Sequence, residues 1–449
     1  MYSEYKSYLK NKMFDMLSYI VNEYNFFVDK KIIFNNCDLT RMKAIYLAKK
    51  YDLSLVDWID KTPNEYYEYI VSKYIDNIIF TKIHEIKYKP SNVELGLYAD
   101  IYAPYQTNLK KNYEISELAY QYTEKINTKK YKSIELFINN KYKKLNNELY
   151  DKYNININGK VPSRAWLKMF ELLFDTEFLS NFKDLSVVKG FHICEAPGNF
   201  INSIIYYVKN NTTIKSYDWK AQSLADDLAD FYDSYGFIKK TQDRWDLGQK
   251  KTGDITDYDN FMYYYKTYGE KIDILISDCG EKWSSEIKLS SDISIFQMLY
   301  AILFPKKGGN FIIKTYSANY NLLYLALLYS SCHFYEKIIT FKSNINFWSP
   351  EIYIIGIGKK ELNKSEVEIF LSIMHNATKN IYTYPVNNIP DNFCILYQNI
   401  MNTYVSEYAD IKKFFVFLSK NEELFNLSKD KLNIVIDKKN KEWINKYLK

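Results

Sequence analysis

FHICEAPGNF, residues 191–200, decides the predicted fold, because an apolar strand pattern passes through a tight Pro-Gly turn directly into a helix pattern. Such a turn lets backbone N–H groups and a helix N-terminus approach a ligand closely. The stretch lacks the G-x-G-x-x-G spacing of a dinucleotide pyrophosphate cradle. A strand, one glycine and a helix also form an ordinary α/β connection, so the stretch alone predicts no function.

Strand and helix patterns alternate on both sides of this stretch. Short β-rich runs lie at residues 190–194, 213–219, 272–276, 310–316, 334–341 and 352–357, and helix-compatible segments lie at 200–208, 287–304 and 319–331. This alternation predicts an α/β fold with a parallel, doubly wound sheet. Ligands of such sheets bind beyond the C-terminal ends of the strands.

Composition divides the chain into three predicted regions. Residues 1–155 form a mostly helical N-terminal region, with apolar stripes at helical spacing at 13–28, 40–51 and 66–79. Residues 156–365 hold the alternating pattern, and residues 366–449 form a polar, helical C-terminal appendage. Between 129 and 153 lysines and tyrosines interleave, which is typical of a solvated helix face and also suits contact with an RNA backbone.

The overall composition excludes several classes of protein. With 449 residues, 47% of them hydrophobic, and only 13 Gly and 9 Pro, the chain is neither disordered nor collagen-like. A net charge of +6 permits a polyanionic partner without requiring one. Five cysteines without CxxC spacing predict reduced thiols in a cytosol-like compartment. The longest apolar run, 293–304, is too short to span a bilayer, and MYSEYKSYLK is no signal peptide, so we expect a soluble protein.

Charged residues stand at three predicted strand ends. DILISDCG brings Asp278 to the end of its strand, GGNFIIKTYS places Lys314 near the end of the next, and SPEIYIIGIG starts a strand at Glu351. If this last strand is antiparallel to the others, the three side chains converge at one edge of the sheet. Taken singly, a lysine such as Lys314 is more typical of a snorkelling side chain.

These motifs together resemble a known family. The series SRAWLKMFELL, HICEAPGNF, GDIT, ILISDCG, GGNFIIKT and SPEIYII resembles the FtsJ-like ribose 2′-O-methyltransferases, particularly the Adrift-type cap-specific mRNA (nucleoside-2′-O-)-methyltransferases and their relatives in large cytoplasmic DNA viruses. The resemblance covers roughly residues 160–360 and depends on several short motifs in the right order. It implies a Rossmann-like S-adenosylmethionine-dependent methyltransferase sheet with helical additions at both ends.

The resemblance also implies the site residues. The family's catalytic tetrad corresponds to Lys168, Asp278, Lys314 and Glu351. The S-adenosylmethionine site corresponds to two segments, a loop and a stretch that meets the adenine: Cys194, Glu195, Ala196, Pro197, Gly198, Asn199 and Phe200, with Asp254 and Ile255. Asn199 stands where the family has a second glycine, which bears on cofactor affinity, although Asn tolerates a left-handed backbone.

Two residues are ambiguous from the pattern alone. Lys168 falls off the apolar stripe of its helix, so the pattern predicts a solvated lysine and only the resemblance makes it catalytic. Asp218, at the end of the second predicted strand, is a weaker candidate for binding a ribose hydroxyl. The four histidines show no zinc-ligand spacing, and no metal is expected.

The chemistry explains why such residues would be needed. The methyl donor is already activated by its sulfonium, whereas a ribose hydroxyl attacks only once its proton is drawn off. We expect Lys314 to be the base and the other three residues to position and stabilise. A lysine base needs a lowered pKa, which burial or the neighbouring Lys168 would supply and the two carboxylates would oppose.

The expected activity is methyl transfer from S-adenosylmethionine to a ribose 2′-oxygen of RNA, at a cap-proximal nucleotide of mRNA. Two alternatives stay open: methylation of internal rRNA or tRNA sites, and a catalytically inactive methyltransferase-like RNA-binding subunit. RNA is the expected partner, residues 1–155 are a candidate RNA-recognition module, and capping-apparatus or transcription proteins are candidate partners. The resemblance implies the host cytoplasm or the virion as location, with no membrane association.

Overall fold

The computed structural model describes residues 82–90, 93–102, 129–228, 233–280, 290–317, 319, 321–346, 349–420 and 422–448. The helices expected at 13–28, 40–51 and 66–79 lie outside these residues. Residues 79–420 and 437–449 form one compact unit, which carries the sheet and the site. The other unit comprises residues 1–78 and 421–436. The three predicted regions, 1–155, 156–365 and 366–449, stay a prediction.

A seven-stranded sheet lies between helices. Its strands are β1 (Lys82–Glu85), β2 (Val187–Ile193), β3 (Ser216–Ala221), β4 (Ile272–Ser277), β5 (Pro305–Tyr316), β6 (Tyr335–Lys342) and β7 (Glu351–Lys359). The α-helices of the described residues are α1 (Lys129–Tyr153), α2 (Arg164–Asp175), α3 (Asn199–Asn211), α4 (Phe237–Lys240), α5 (Tyr258–Tyr268), α6 (Ser290–Leu303), α7 (Leu322–Phe334), α8 (Lys364–Ala377), α9 (Asp391–Lys420) and α10 (Glu422–Tyr447). None of the helices in this part of the chain is long and apolar enough to cross a membrane.

The strand order is β1-β6-β7-β5-β4-β2-β3, in which β3, β2, β4 and β5 are parallel. The predicted α/β, Rossmann-like methyltransferase sheet is confirmed, and its last strand is antiparallel, as the predicted convergence of the charged residues requires. Strand β7 is antiparallel to both β5 and β6, and β1 is antiparallel to β6. The short connection from β6 to β7 leaves no room for the crossover that parallel neighbours need. Strand β7 therefore starts at the edge where β4 and β5 end.

The central strands are apolar on both faces, because helices cover both. Alternate residues face α2 and α3 on one side, and the residues between them face α5 to α9 on the other. On the α2 side lie Ile274, Ile276, Ile312, Tyr353 and Ile355. On the opposite side lie Leu275, Phe311, Ile313, Ile352 and Ile354. Residues two apart on one of these strands therefore lie on the same face of the sheet.

Strand β2 is the point at which the chain reverses its direction across the sheet. It pairs with β3 on one side and with β4 on the other, both in parallel. The chain first builds outward to β3 and then crosses back to β4. A crevice that binds ligands forms at such a switch point, outside the carboxyl end of the strand. Residues 194–198 occupy that position.

Helix α2 is buried nearly all round, which corrects the expectation of a solvated Lys168. Its N-terminus is capped by Ser163, whose side chain accepts a hydrogen bond from the backbone N–H of Ala165. Every residue from Trp166 to Leu173 is buried, including Lys168 and Glu171. One side packs on the sheet, and aromatic rings of the C-terminal helix, including Trp443, contact Phe170 on another. Amphipathic spacing could not reveal this second cover.

Glu171 shows what this burial does to a charge. Its carboxyl group lies 3.0 Å from Nε1 of Trp443 and 2.5 Å from Oγ of Ser343. Burial, with a further contribution from nearby Asp175, raises the pKa of Glu171 to about 8, although both hydrogen bonds oppose the rise. The folded protein therefore holds a proton on Glu171 at neutral pH that the unfolded chain releases.

A Glu171→Gln variant tests this assignment. Because the folded-state pKa of Glu171 lies above its unfolded value, its protonation stabilises the fold at acidic pH. This stabilisation falls by about 1.4 kcal/mol per pH unit between pH 4.5 and 8. Glutamine keeps both hydrogen bonds without a titrating proton. We expect Glu171→Gln to be more stable than the wild type at pH 8.5 in urea unfolding, and the difference to vanish near pH 5. A constant difference across this range would contradict the assignment.

Candidate active site

Four charged side chains from four elements meet at the carboxyl edge of the sheet. Lys168 comes from α2, Asp278 directly follows β4, Lys314 lies near the end of β5, and Glu351 begins β7. Nζ of Lys168 lies 2.7 Å from Oε1 of Glu351, and Nζ of Lys314 lies 3.0 Å from Oδ1 of Asp278. All four side chains are at most 22% exposed. The structure thus brings together the four residues that the resemblance indicated.

The alternation of the strands explains this convergence. Asp278, Lys314 and Glu351 continue, in steps of two, the rows of residues that face α2. Because Lys168 is on α2, it lies on the same side of the sheet. The reversed direction of β7 brings its first residue, Glu351, opposite Tyr316 at the end of β5.

Tyr353 connects the two ion pairs and was missed by sequence reasoning. Its hydroxyl lies 2.9 Å from Oε1 of Glu351 and 3.4 Å from Oδ1 of Asp278, and its ring is fully buried. Burial, with the two adjacent carboxylates, raises the pKa of Tyr353 well above its usual value, so the hydroxyl keeps its proton. The signal was present: Tyr353 is two residues after Glu351 on a strand and must share its face.

The pKa values of Glu351 and Lys314 are both shifted in the direction that keeps these two groups ionised. Burial opposes ionisation of Glu351, but Lys168 and Lys314 outweigh it and keep the pKa of this carboxyl far below its usual range. Burial likewise lowers the pKa of Lys314, but Asp278 and Glu351 outweigh it, and the net result is a raised pKa. In this state Lys314 therefore lacks the lowered pKa that would suit a lysine base. The sequence could not decide the sign, because it depends on the distances to both carboxylates.

Gly280 keeps space beside Lys314. A Cβ atom at position 280 would lie 2.8 Å from Nζ of Lys314 and 3.1 Å from its Cε. Any side chain there would press on the amine. A glycine at this position therefore adds no side-chain atoms next to Nζ.

The loop at the end of β2 is held by its own side chains. Oε1 of Glu195 accepts hydrogen bonds from the N–H groups of Phe200 and Ile201 at the start of α3, at 2.9 and 3.3 Å. Oε2 of Glu195 lies 2.9 Å from Nδ1 of the buried His192. The carboxylate of Glu195 is thus an internal cap of the helix. Within the loop, Cys194, Ala196 and Pro197 are only half-buried.

Gly198 makes the turn possible, and Asn199 does not disturb it. The φ angle of Gly198 is +96°, and a Cβ there would lie 2.4 Å from the ring of Phe237. Asn199 is the first residue of α3, and its side chain accepts a hydrogen bond from the backbone N–H of Ser163 at 3.4 Å. The left-handed position is therefore the glycine, and the departure at 199 leaves the turn intact.

Gln222 joins the loop to the segment that carries Asp254 and Ile255. Its side chain accepts from the N–H of Cys194 at 3.0 Å and donates to the carbonyl of Gly253. Asp254 is half-buried, whereas Ile255 belongs to the core beside α6. Sequence reasoning missed Gln222, although it directly follows the end of β3 at the switch point. The two predicted parts of the cofactor site are neighbours through this one amide.

Two expectations at this edge are wrong. Cys194 and Cys279 form a disulfide, because adjacent parallel strands β2 and β4 bring their Cα atoms to 4.9 Å across 85 residues of sequence. Cys332 and Cys394 are free and buried. Asp218 does not end its strand: β3 continues to Ala221, and Asp218 pairs with Arg244 at 3.1 Å, which leaves no support for a ribose contact.

The arrangement fits a nucleoside-type cofactor. A glycine turn and a helix N-terminus stand at the switch point of the sheet, beside the half-buried loop residues Cys194, Ala196 and Pro197. The N–H of Asp278 is hydrogen-bonded to the carbonyl of Ile193 at 3.3 Å, so the loop and the charged cluster are direct neighbours. A molecule bound at the loop would therefore lie beside Lys314 and Asp278.

The fold and site define this part of the chain as a Rossmann-like methyltransferase domain. Residues 161–359 match the model of the FtsJ-like methyltransferase family. Over 317 residues the chain is 26% identical to Uncharacterized protein L511 of Acanthamoeba polyphaga mimivirus, covering 68% of this chain and 39% of that protein.

Two other relatives have names that describe them as methyltransferases. Probable methyltransferase EP424R of African swine fever virus, isolate Pig/Kenya/KEN-50/1950, is 27% identical over 329 residues, covering 65% of this chain and 76% of that protein. Cap-specific mRNA (nucleoside-2'-O-)-methyltransferase 2 of Drosophila melanogaster is 23% identical over 212 residues, covering 43% of this chain and 29% of that protein. The chain thus spans well under half of the mimivirus and fly proteins.

Tyr353→Phe tests the bridge between the ion pairs. The change removes one hydroxyl and leaves the ring packed, so folding is preserved. Losing one hydrogen bond that orients Glu351 and Asp278 should slow methyl transfer by about tenfold. The measurement is the single-turnover rate with saturating RNA and methyl donor, alongside the unfolding midpoint. A wild-type rate in Tyr353→Phe would show that the bridge has no part in the reaction.

Proposed function

We propose that this domain transfers the methyl group of S-adenosylmethionine to a ribose 2′-oxygen of RNA, at a cap-proximal nucleotide of mRNA. The observation that carries the proposal is the pair of buried lysine–carboxylate contacts, joined by Tyr353, beside the loop at the switch point. A hydroxyl acceptor needs a base and fixed charges next to the donor, which this cluster can provide. Relatives named as cap-specific mRNA methyltransferases support RNA as the substrate.

In the proposed reaction the loop at the end of β2 binds the methyl donor, and the four charged residues act on the acceptor hydroxyl. When bound, S-adenosylmethionine supplies a methyl group already activated by its sulfonium. Residues 194–200, with Asp254 and Ile255, would hold it at the end of β2. Lys168, Asp278 and Glu351 position Lys314 and the acceptor hydroxyl and stabilise the charge that develops on it.

Lys314 is the proposed base. Its Nζ donates to the backbone carbonyl of Asp278 at 2.6 Å and to the carboxylate of Asp278 at 3.0 Å. A neutral amine has two N–H groups and one lone pair. With both N–H groups directed to Asp278, the lone pair is left to accept the proton of the hydroxyl. Gly280 places no side chain against Nζ.

The raised pKa of Lys314 has a kinetic consequence. Since the amine must lose its proton before it can act as a base, the methyl-transfer rate should rise with pH through the neutral range. The charge of a bound sulfonium favours the same deprotonation.

Lys314→Ala and Asp278→Asn test this assignment. Without its base, Lys314→Ala should lose 10²- to 10⁴-fold in rate, an order-of-magnitude expectation for general-base catalysis. Asp278→Asn removes a carboxylate that raises the pKa of Lys314, so the rising limb of its pH–rate profile should move to lower pH. The measurement is the rate from pH 6 to 10. A rate that falls with pH in the wild type, or an unshifted limb in Asp278→Asn, would reject Lys314 as the base.

The substrate is tested with two matched RNAs that differ only in the 5′ cap. We expect methylation of the capped RNA at its first or second transcribed nucleotide and at least tenfold less on the uncapped RNA. Equal methylation of both, or methylation at internal positions, would instead indicate an internal rRNA- or tRNA-type site. Viral and cap-directed relatives are consistent with action in the host cytoplasm or virion, alongside capping or transcription proteins.

A further inference from the structure

A third buried amine lies next to the site and has no role in the reaction described so far. Lys342 is the last residue of β6 and is 8% exposed. Its Nζ donates to the backbone carbonyl of Glu351 at 2.8 Å and to the backbone carbonyl of Ser349. These are the carbonyl groups that flank the entry of the chain into β7. Lys342 thus contacts the backbone that carries a tetrad residue.

The entry to β7 is held from two sides. While Lys342 binds the carbonyls of Ser349 and Glu351 from the β6 side, the carbonyl of Pro350 accepts the N–H of Ser317 from the end of β5 at 2.9 Å. The N–H of Glu351 also donates to Oγ of Ser349 at 3.1 Å. Three successive carbonyls are therefore fixed, and with them the direction in which the Glu351 side chain leaves the strand.

Burying a charged amine at position 342 has a cost in desolvation free energy. Burial, aided by the nearby Lys168, lowers the pKa of Lys342 to about 7, although Glu351 opposes the shift. The carboxylate of Glu351 forms an ion pair with Lys168 and accepts a hydrogen bond from Tyr353, whereas Lys342 contacts the backbone of Glu351. An apolar side chain would avoid the desolvation of an amine. The two backbone contacts are what an apolar residue could not replace.

We propose that Lys342 is a positioning residue of the methyl-transfer site, which fixes the carbonyls of Ser349 and Glu351 and thereby sets the Glu351 carboxylate against Lys168 and Tyr353. Its effect on rate rests on the proposed function, whereas its effect on the backbone does not. Lys342 would act through Glu351 and would touch neither RNA nor the methyl donor.

The chain offers a matched control at the other end of the same strand. Lys359, the last residue of β7, is 3% exposed, and its Nζ donates to the backbone carbonyl of Pro305 at 2.6 Å. Burial also lowers its pKa to about 7. Eight residues of strand separate it from Glu351, about 26 Å at the usual rise. Lys359→Met therefore removes a similar buried amine far from the site.

Amide hydrogen exchange tests the positioning without reference to activity. In Lys342→Met, peptides that contain Ser317 and Glu351 should exchange at least tenfold faster than in the wild type, and Lys342→Arg, which can still donate to both carbonyls, should restore most of the protection. Lys359→Met should leave these peptides unchanged. Unchanged exchange in Lys342→Met would overturn the proposal. Should Lys342→Met not fold, the exchange of the same peptides is measured in Lys342→Gln, which keeps an amide donor and lacks the charge.

Kinetics tests the consequence for the reaction. Lys342→Met should lower kcat about tenfold, with KM for capped RNA and for S-adenosylmethionine within twofold of the wild type, and Lys342→Arg should recover at least half of the loss. Equal kcat in Lys342→Met and the wild type, or an equal loss in Lys359→Met, would overturn the positioning role. If the wild type methylates no RNA, the proposed function fails, and the exchange measurement still decides whether Lys342 holds the entry to β7.

Discussion

The structure depends on two buried lysine–carboxylate contacts that must form together. A buried charged side chain needs a partner of opposite charge. Removing one partner from such a pair lowers the stability of the fold by about 3–5 kcal/mol, because the other charge is left uncompensated. Lys168 pairs with Glu351, Lys314 pairs with Asp278, and the hydroxyl of Tyr353 touches both carboxylates. The four elements that carry these residues are therefore tied at one point, beside the loop that ends β2.

Two features of the fold create that point. Period-two alternation places Asp278, Lys314 and Glu351 on the face covered by α2, where Lys168 is buried. The short return from β6 reverses β7, so that its beginning lies beside the ends of β4 and β5. A parallel β7 would place Glu351 at the opposite edge. The reversal of one strand is thus what turns a common α/β sheet into this cluster.

Much of this could be predicted from the sequence, for reasons that are local. The strand patterns around residues 274, 312 and 354 and the turn at Gly198 gave the sheet and the charged edge within a few residues. What failed or stayed open depends on tertiary neighbours. The burial of Lys168 needs the cover from Trp443, the disulfide needs β2 beside β4, and the raised pKa of Lys314 needs both carboxylates in place. Tyr353 was within reach, since it lies two residues after Glu351 on the same strand. Gln222 was not, because the strand before it was predicted to end at 219 and ends at Ala221.

The most direct test of the account is the chemical position of the transferred methyl group. Capped RNA is incubated with the protein and isotopically labelled S-adenosylmethionine, digested to nucleosides, and analysed by mass spectrometry. The cluster of two amines and two carboxylates beside the donor loop predicts that the label appears in a 2′-O-methylated nucleoside from the cap-proximal end. Label on a base, or the absence of any labelled nucleoside from a protein that binds the donor, would contradict it.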